Sequence, residues 1–487
     1  MQTANQPATA TSGKSSEQRP FALVAPSLGA ALLLGTMGGF VFATVLTLTL
    51  ALNLSIGPWW SALAQAHGHL QLYGWAGLFV LGVAFHFLPR LRGTPLALPR
   101  FVPWIIGFQV IGLVLRAISQ PLLVATGTSI FGGLLIVSGI LECMALVGAV
   151  LLLGITTWRG STLVTRPAVL GVLPFFAGAF SMLAVASVVN LVNVVQASTS
   201  DGFIGGASDD LNVTLGLFGF LVPVALAMSA QSLPLYAGLE AFPRRLLWPL
   251  AGSYFLGLLL TGIGSQLAPS SEMVEGLGML LMGMVLLVFI GIFLRMMRMR
   301  GRLPQKVARL APSPEAAAHT YQRKIRTERY SYGPFVALVA SAYLWAILGG
   351  VLLVTDGLAM LFGAVPVFAS DAIRHSLAVG FITLLICGIA PRMLPGFSGG
   401  SIASPILVNA TLWLGNTAAL LRVGSILLAP LLVSLSVAGS SLYAIVFGLS
   451  GPLGLALAIC LTINLWPALW PSTHATPSQE IRQISSV

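Results

Sequence analysis

Long apolar stretches separated by short polar segments dominate the pattern of this chain of 487 residues. Twelve stretches are long enough to cross a bilayer as helices, which takes about 20 residues each. Backbone groups in lipid must be hydrogen-bonded within the protein, which leaves helices and closed β-barrels as possible spanning structures. The alternating segments typical of a β-barrel are missing from the sequence, so we predict an all-α polytopic membrane protein. The predicted spans are 26–52, 66–88, 102–126, 129–155, 168–195, 211–233, 246–267, 273–296, 335–360, 372–394, 404–429 and 435–465.

A repeated marker divides these spans into three groups of four. A Leu-Pro dipeptide, with a glycine four residues after the proline, ends spans two, six and ten at Pro89, Pro234 and Pro395. All three copies have the same membrane orientation, because each repeat contains an even number of spans. We therefore predict a pseudo-threefold bundle of three four-helix units and not an inverted repeat. The units cover about 26–155, 168–296 and 335–465.

Composition and charge support a membrane protein and set its orientation. The chain is 56% hydrophobic and 8% charged, whereas soluble proteins carry about 25% charged residues. Its net charge of +11 follows the positive-inside pattern, with basic residues in alternate loops, and does not indicate nucleic-acid binding. Both termini are predicted to be cytoplasmic. Residues 1–25 form a predicted disordered tail, 26–470 the membrane domain with a basic cytoplasmic loop at 297–334, and 471–487 a second tail.

Two histidines occupy equivalent positions in the repeat. His69 and His375 each lie 20 residues before a marker proline, where the second copy carries Thr214. Facing imidazoles at matched depth on two helices suit axial ligation of a haem iron, so we predict His69 and His375 as its ligands. His67 is the alternative, although it points about 200° away from His69 around a helix. Hydrogen bonding in a polar outer vestibule is the other interpretation of these histidines.

Two arginines also recur in the repeat. Arg116 and Arg422 lie 27 residues after a marker proline, where the second copy carries Thr261. Both are predicted in the outer half of the bilayer with the histidines. Because arginine binds carboxylates in a bidentate manner, they could hold the haem propionates, and Arg374 is a further candidate. Snorkelling to the outer interface is the alternative.

Other polar and aromatic residues near the motif have more than one interpretation. Tyr73 and Trp75 could line a haem pocket or serve in helix packing. Glu142, in the middle of span four, could be protonated, pair with an arginine or join a proton path. His86 lies about 25 Å deeper than His69 along the helix and cannot share the outer site, so a capping role is favoured.

These motifs resemble the NnrS family. The resemblance rests on His67-Gly-His-Leu-Gln-Leu-Tyr-Gly74, the ending Pro89-Arg-Leu-Arg-Gly93, Arg116, His375-Ser-Leu-Ala-Val-Gly380 and Arg422. NnrS proteins are twelve-span bacterial haem- and copper-containing membrane proteins linked to the nitric oxide response. The family is similar to subunit I of haem-copper oxidases, where the low-spin haem lies between helices two and ten. The resemblance thus implies a b-type haem, copper and a bacterial inner membrane.

The chain departs from these relatives at several positions. Leu70 stands where the usual NnrS motif has Glu, and spans six and seven contain no histidine for an oxidase copper site. Carboxylate and imidazole ligands for copper are few. We therefore expect a haem protein that is not an autonomous oxidase. One alternative is an electron-transfer subunit related to oxidases or nitric oxide reductases, which needs an electron-transfer or regulatory partner protein. The other alternative is a small-molecule transporter without a cofactor. Membrane lipid is the remaining expected partner.

Overall fold

The computed structural model describes residues 15–163, 167–234, 239, 241–267, 271–299, 313–435 and 437–471. It confirms twelve helices that are long and apolar enough to cross a membrane, and the described residues contain no β-strand. The helices are α1 (Phe21–Ala51), α2 (Pro58–Arg92), α3 (Pro99–Thr126), α4 (Ser129–Arg159), α5 (Ala168–Ser198), α6 (Gly206–Gln231), α7 (Arg244–Leu267), α8 (Glu272–Arg298), α9 (Phe335–Leu361), α10 (Ser370–Ser398), α11 (Pro405–Leu431) and α12 (Ser441–Leu469).

Three inner helices are surrounded by nine outer ones. The most apolar windows of α2, α6 and α10 are 83%, 83% and 78% buried, whereas those of the other helices are 28% to 50% buried. Outer helices pack against their neighbours in chain order, and α12 packs against α1, which closes the ring. Pro89 and Pro395 lie in the last turn of α2 and α10, and Pro234 follows α6. The predicted pseudo-threefold bundle is therefore confirmed.

Each inner helix contains a π-helical segment that the sequence pattern did not predict. The segments are Leu70–Gly77, Thr214–Leu221 and Ser376–Thr383. A π-turn adds a residue to the helical turn, so it rotates the side chains before it relative to those after it. Two of the segments begin directly after His69 and His375. The positions of the candidate ligands thus depend on a local irregularity that hydropathy does not reveal.

Two predicted polar segments contain helical structure. The helix that leads into α1 begins at Ser15, so helical structure extends into the predicted N-terminal tail. Within the basic loop, Pro314–Tyr332 form a surface helix whose N-terminus is capped by the Ser313 hydroxyl. Arg392 at the end of α10 contacts this helix, 3.4 Å from Glu328 and above the Tyr332 ring. Residues 1–14, 300–312 and 472–487 of the predicted tails and loop lie outside the described residues.

Close packing of α7 against α8 gives a test of the fold. A Cβ atom on Gly278 would overlap the backbone nitrogen of Thr261 and lie 2.5 Å from the carbonyl oxygen of Gly257. We expect Gly278→Ala to lower the free energy of unfolding by about 1–3 kcal/mol, the usual cost of overpacking. Gly291→Ala is the matched control on the same helix, because nothing lies within 4 Å of its Cβ position. Thermal unfolding in detergent measures both, and equal midpoints for the two variants would contradict this packing.

Candidate functional site

A cavity of about 340 Å³ lies among α1, α2, α6, α10, α11 and α12, near the N-terminal ends of α2 and α10. This volume falls in the range of about 300–1,000 Å³ that is typical of small-molecule and cofactor sites. Apolar side chains such as Phe40, Trp75 and Phe447 form much of its wall. Its ionisable lining residues are His67, His69, Asp209, Asp371, Arg374, His375 and Arg422.

His67 and His375 have the same hydrogen-bonding arrangement within this cavity. Nδ1 of His67 lies 2.8 Å from the carbonyl oxygen of Gly39, and Nδ1 of His375 lies 2.9 Å from the carbonyl oxygen of Asp371. Because a carbonyl oxygen can only accept, each Nδ1 carries a proton and donates it, and in a neutral ring Nε2 keeps its lone pair. Metal-ligating histidines usually have this arrangement. The two rings also interact electrostatically with each other.

His69 is engaged elsewhere, although it touches the same cavity. Its Nε2 atom lies 2.6 Å from Oε2 of Glu142 on α4, and both side chains are buried. Its ring packs against Tyr73 with 4.7 Å between the centroids. The nitrogen that would face a metal in a typical haem ligand is therefore bound to a carboxyl group.

Arg116 belongs to the His69 cluster and not to the cavity wall. It is 2% exposed, and its Nη1 donates a hydrogen bond to the Asn190 side chain on α5. Glu142 packs directly against α3 because Gly112 has no Cβ atom there. A Cβ at this position would lie 2.6 Å from Glu142 Cγ. Both Arg116 and Glu142 interact electrostatically with His69. Sequence reasoning gave Glu142 no defined partner, because its counterparts in the other repeats are apolar.

A chain of charged contacts lies beside His375. Asp371 Oδ1 is 2.9 Å from His375 Nδ1, and Asp371 Oδ2 is 2.8 Å from Arg422 Nη2. Arg374 pairs with Asp210 at 2.8 Å, which links α10 to α6. Asp371 thus connects the imidazole to the guanidinium. Asp371 lies four residues before His375, on the same helix face. This spacing is the signal in the sequence that could have identified Asp371 as a partner of the histidine.

Trp75 and Tyr73 have different positions. Trp75 lines the cavity, and its indole N–H donates to Thr383 Oγ1 at 3.2 Å. The Thr383 hydroxyl donates to the Ala378 carbonyl, so this contact joins the π-helical segments of α2 and α10. The Tyr73 hydroxyl instead donates to Asn212 on α6 and is buried outside the cavity lining.

An aromatic cluster joins α8, α9 and α10. Phe293 of α8 stacks on Tyr343 of α9 with 4.4 Å between centroids, and Tyr343 contacts Phe381 of α10 at 5.7 Å. This cluster packs α8 and α9 against the inner helix α10.

Comparisons with known proteins identify the fold. No family model and no curated protein sequence matches this chain. Among solved structures, it is similar to a heme-copper terminal oxidase dimer determined by cryo-EM, with a TM-score of 0.66 and 12% sequence identity. The alignment covers 96% of this chain and 89% of that one. The chain therefore shares the fold of that heme-copper terminal oxidase, in agreement with the predicted twelve-helix architecture.

The buried His69–Glu142 contact predicts a graded effect on stability. Glu142→Leu removes the acceptor and leaves a buried imidazole nitrogen without this partner, so we expect a loss of about 1–3 kcal/mol in unfolding free energy. Glu142→Gln keeps an oxygen acceptor and should lose less. Met144→Leu, at a position 54% exposed on the same helix, is the control. Denaturant unfolding in detergent measures the series, and equal losses for Gln and Leu would argue against a hydrogen-bonding role.

Proposed function

We propose that this chain is a haem-binding, electron-transferring membrane protein, with His67 and His375 as the axial ligands of one haem in the polar cavity. One observation carries the proposal. Both imidazoles direct Nδ1 to a backbone carbonyl, which leaves Nε2 of each ring for a metal in a shared cavity. Helix bundles commonly build cofactor sites in this way, from side chains on facing helices.

The pseudo-threefold symmetry supports this pair over His69 and His375. A rotation that relates two repeats also moves the surroundings of each side chain. His375 lines the cavity beside α11, α12 and α1, whereas its equivalent, His69, touches that cavity but binds Glu142 on α4 through Nε2. His67, on nearly the opposite face of α2 from His69, uses Nδ1 for its own contact and so leaves Nε2 for the cavity.

The remaining lining residues suit a haem chemically. Arg374 and Arg422 offer guanidinium groups that can bind propionate carboxylates, now paired with Asp210 and Asp371. Trp75 and Phe447 provide apolar wall for the ring faces. A bound haem would supply one-electron exchange, and the chain would orient its ligands and neutralise its carboxylates. Among the described residues, no group of three His, Cys, Asp or Glu side chains could hold a metal ion, so copper forms no part of the proposal.

The visible spectrum of the purified protein, expressed with an adequate haem supply, tests the ligand assignment. We expect His67→Ala and His375→Ala to lose the low-spin spectrum of a bis-histidine haem, because each removes one axial ligand. His69→Ala is the matched control two residues away and should keep that spectrum. Imidazole added to His67→Gly should restore it. A colourless wild type, or loss in His69→Ala with retention in His67→Ala, would refute the assignment.

We further propose that this haem serves the nitric oxide response, which the resemblance of the His67–Gly74 motif to the NnrS family implies. If His67 and His375 held the haem, electron exchange with a partner would be favoured over direct gas binding.

Growth under a nitric oxide donor tests this role. A strain lacking the chain should grow more slowly than wild type, and the wild-type gene should restore growth. His69→Ala should also restore growth, whereas His67→Ala should not, because only His67 is a proposed ligand. Equal growth of the deletion strain and the wild type would refute the nitric oxide role without affecting the spectral test.

A further inference from the structure

A second cavity, of about 90 Å³, lies where the three inner helices meet, and α5 completes its wall. Every side chain that lines it is apolar. Because no hydrogen-bonding side chain faces this space, water inside it would lack the two to four polar partners that hold internal water. Such cavities stay dry and accept apolar molecules.

The repeat explains where this cavity lies. Its lining includes the residues ten, nine and six positions before each marker proline. Three repeats therefore contribute the same positions, which places the cavity on the pseudo-threefold axis. These residues are Phe79, Val224 and Leu385; Val80, Ala225 and Ile386; and Val83, Met228 and Ile389.

One layer of side chains separates this cavity from the polar one. Ala76, Leu221 and Ile382 each lie thirteen residues before a marker proline, and all three line the polar cavity. Leu221 and Ile382 line the apolar cavity as well. A molecule in the apolar cavity would therefore lie one side-chain layer from the polar cavity.

We propose that the apolar cavity binds small uncharged apolar molecules of the size of diatomic gases. Its volume exceeds the roughly 10–15 Å³ that a single water molecule needs, and it approaches the roughly 150 Å³ of engineered apolar cavities that bind xenon and benzene. The surrounding bilayer concentrates apolar solutes beside the protein. Charged and strongly polar ligands are excluded by the cost of losing their hydration without a partner.

Xenon binding to the purified full-length chain, followed by xenon NMR, tests the proposal. Wild type should show saturable binding. Val224→Phe should abolish it by filling the cavity, and Leu385→Ala should increase it by enlarging the cavity. Val185→Phe is the control, because Val185 lies on the outer surface of α5 with 45% exposure. It should bind xenon like the wild type.

The two cavity variants keep the test decisive if one of them fails to fold. Absence of xenon binding in wild type would overturn the proposal, as would unchanged binding in a folded Val224→Phe or Leu385→Ala variant. A co-purified lipid chain that blocks xenon would also overturn it. The measurement does not depend on haem, so its failure is distinguishable from failure of the proposed function.

Discussion

The packing of α2, α6 and α10 around one pseudo-threefold axis is the constraint on which the rest of the structure depends. It buries these helices far more than the nine around them, and it decides which side chains can meet. Equivalent residues of the three repeats converge on the axis, where they enclose the apolar cavity. Away from the axis their surroundings differ: His375 lies beside Asp371, whereas its equivalent, His69, binds Glu142.

The side chains around the inner helices differ in chemistry from one region to the next. Beside α10 to α12 and α1, three histidines and two arginines line a cavity. Beside α2 to α5, His69, Glu142, Arg116 and Asn190 form a buried polar cluster. Between α8 and α9, aromatic rings pack against one another. The repeats therefore share a backbone framework and differ in the side chains around it.

Hydropathy and spacing predicted much of the fold, because bilayer length and the Leu-Pro marker are both local in sequence. They also identified His67, His69, His375 and Arg422, all of which line the cavity. The same patterns could not show that His69 binds Glu142, because that contact joins residues 73 apart and has no counterpart in the other repeats. The π-helical segments were equally hidden, since one extra residue in a turn leaves the apolar composition unchanged.

His69 and His67 are on one turn of α2, directly before a π-helical segment, and each has its own partner. His69 lies 2.6 Å from Glu142 on one face, and His67 contacts the Gly39 carbonyl of α1 on the other. The Trp75–Thr383 hydrogen bond then holds the segment itself against its counterpart on α10. His67 thus has a contact of its own to α1 that does not involve His69, which explains why a histidine conspicuous in the repeat need not be a ligand itself.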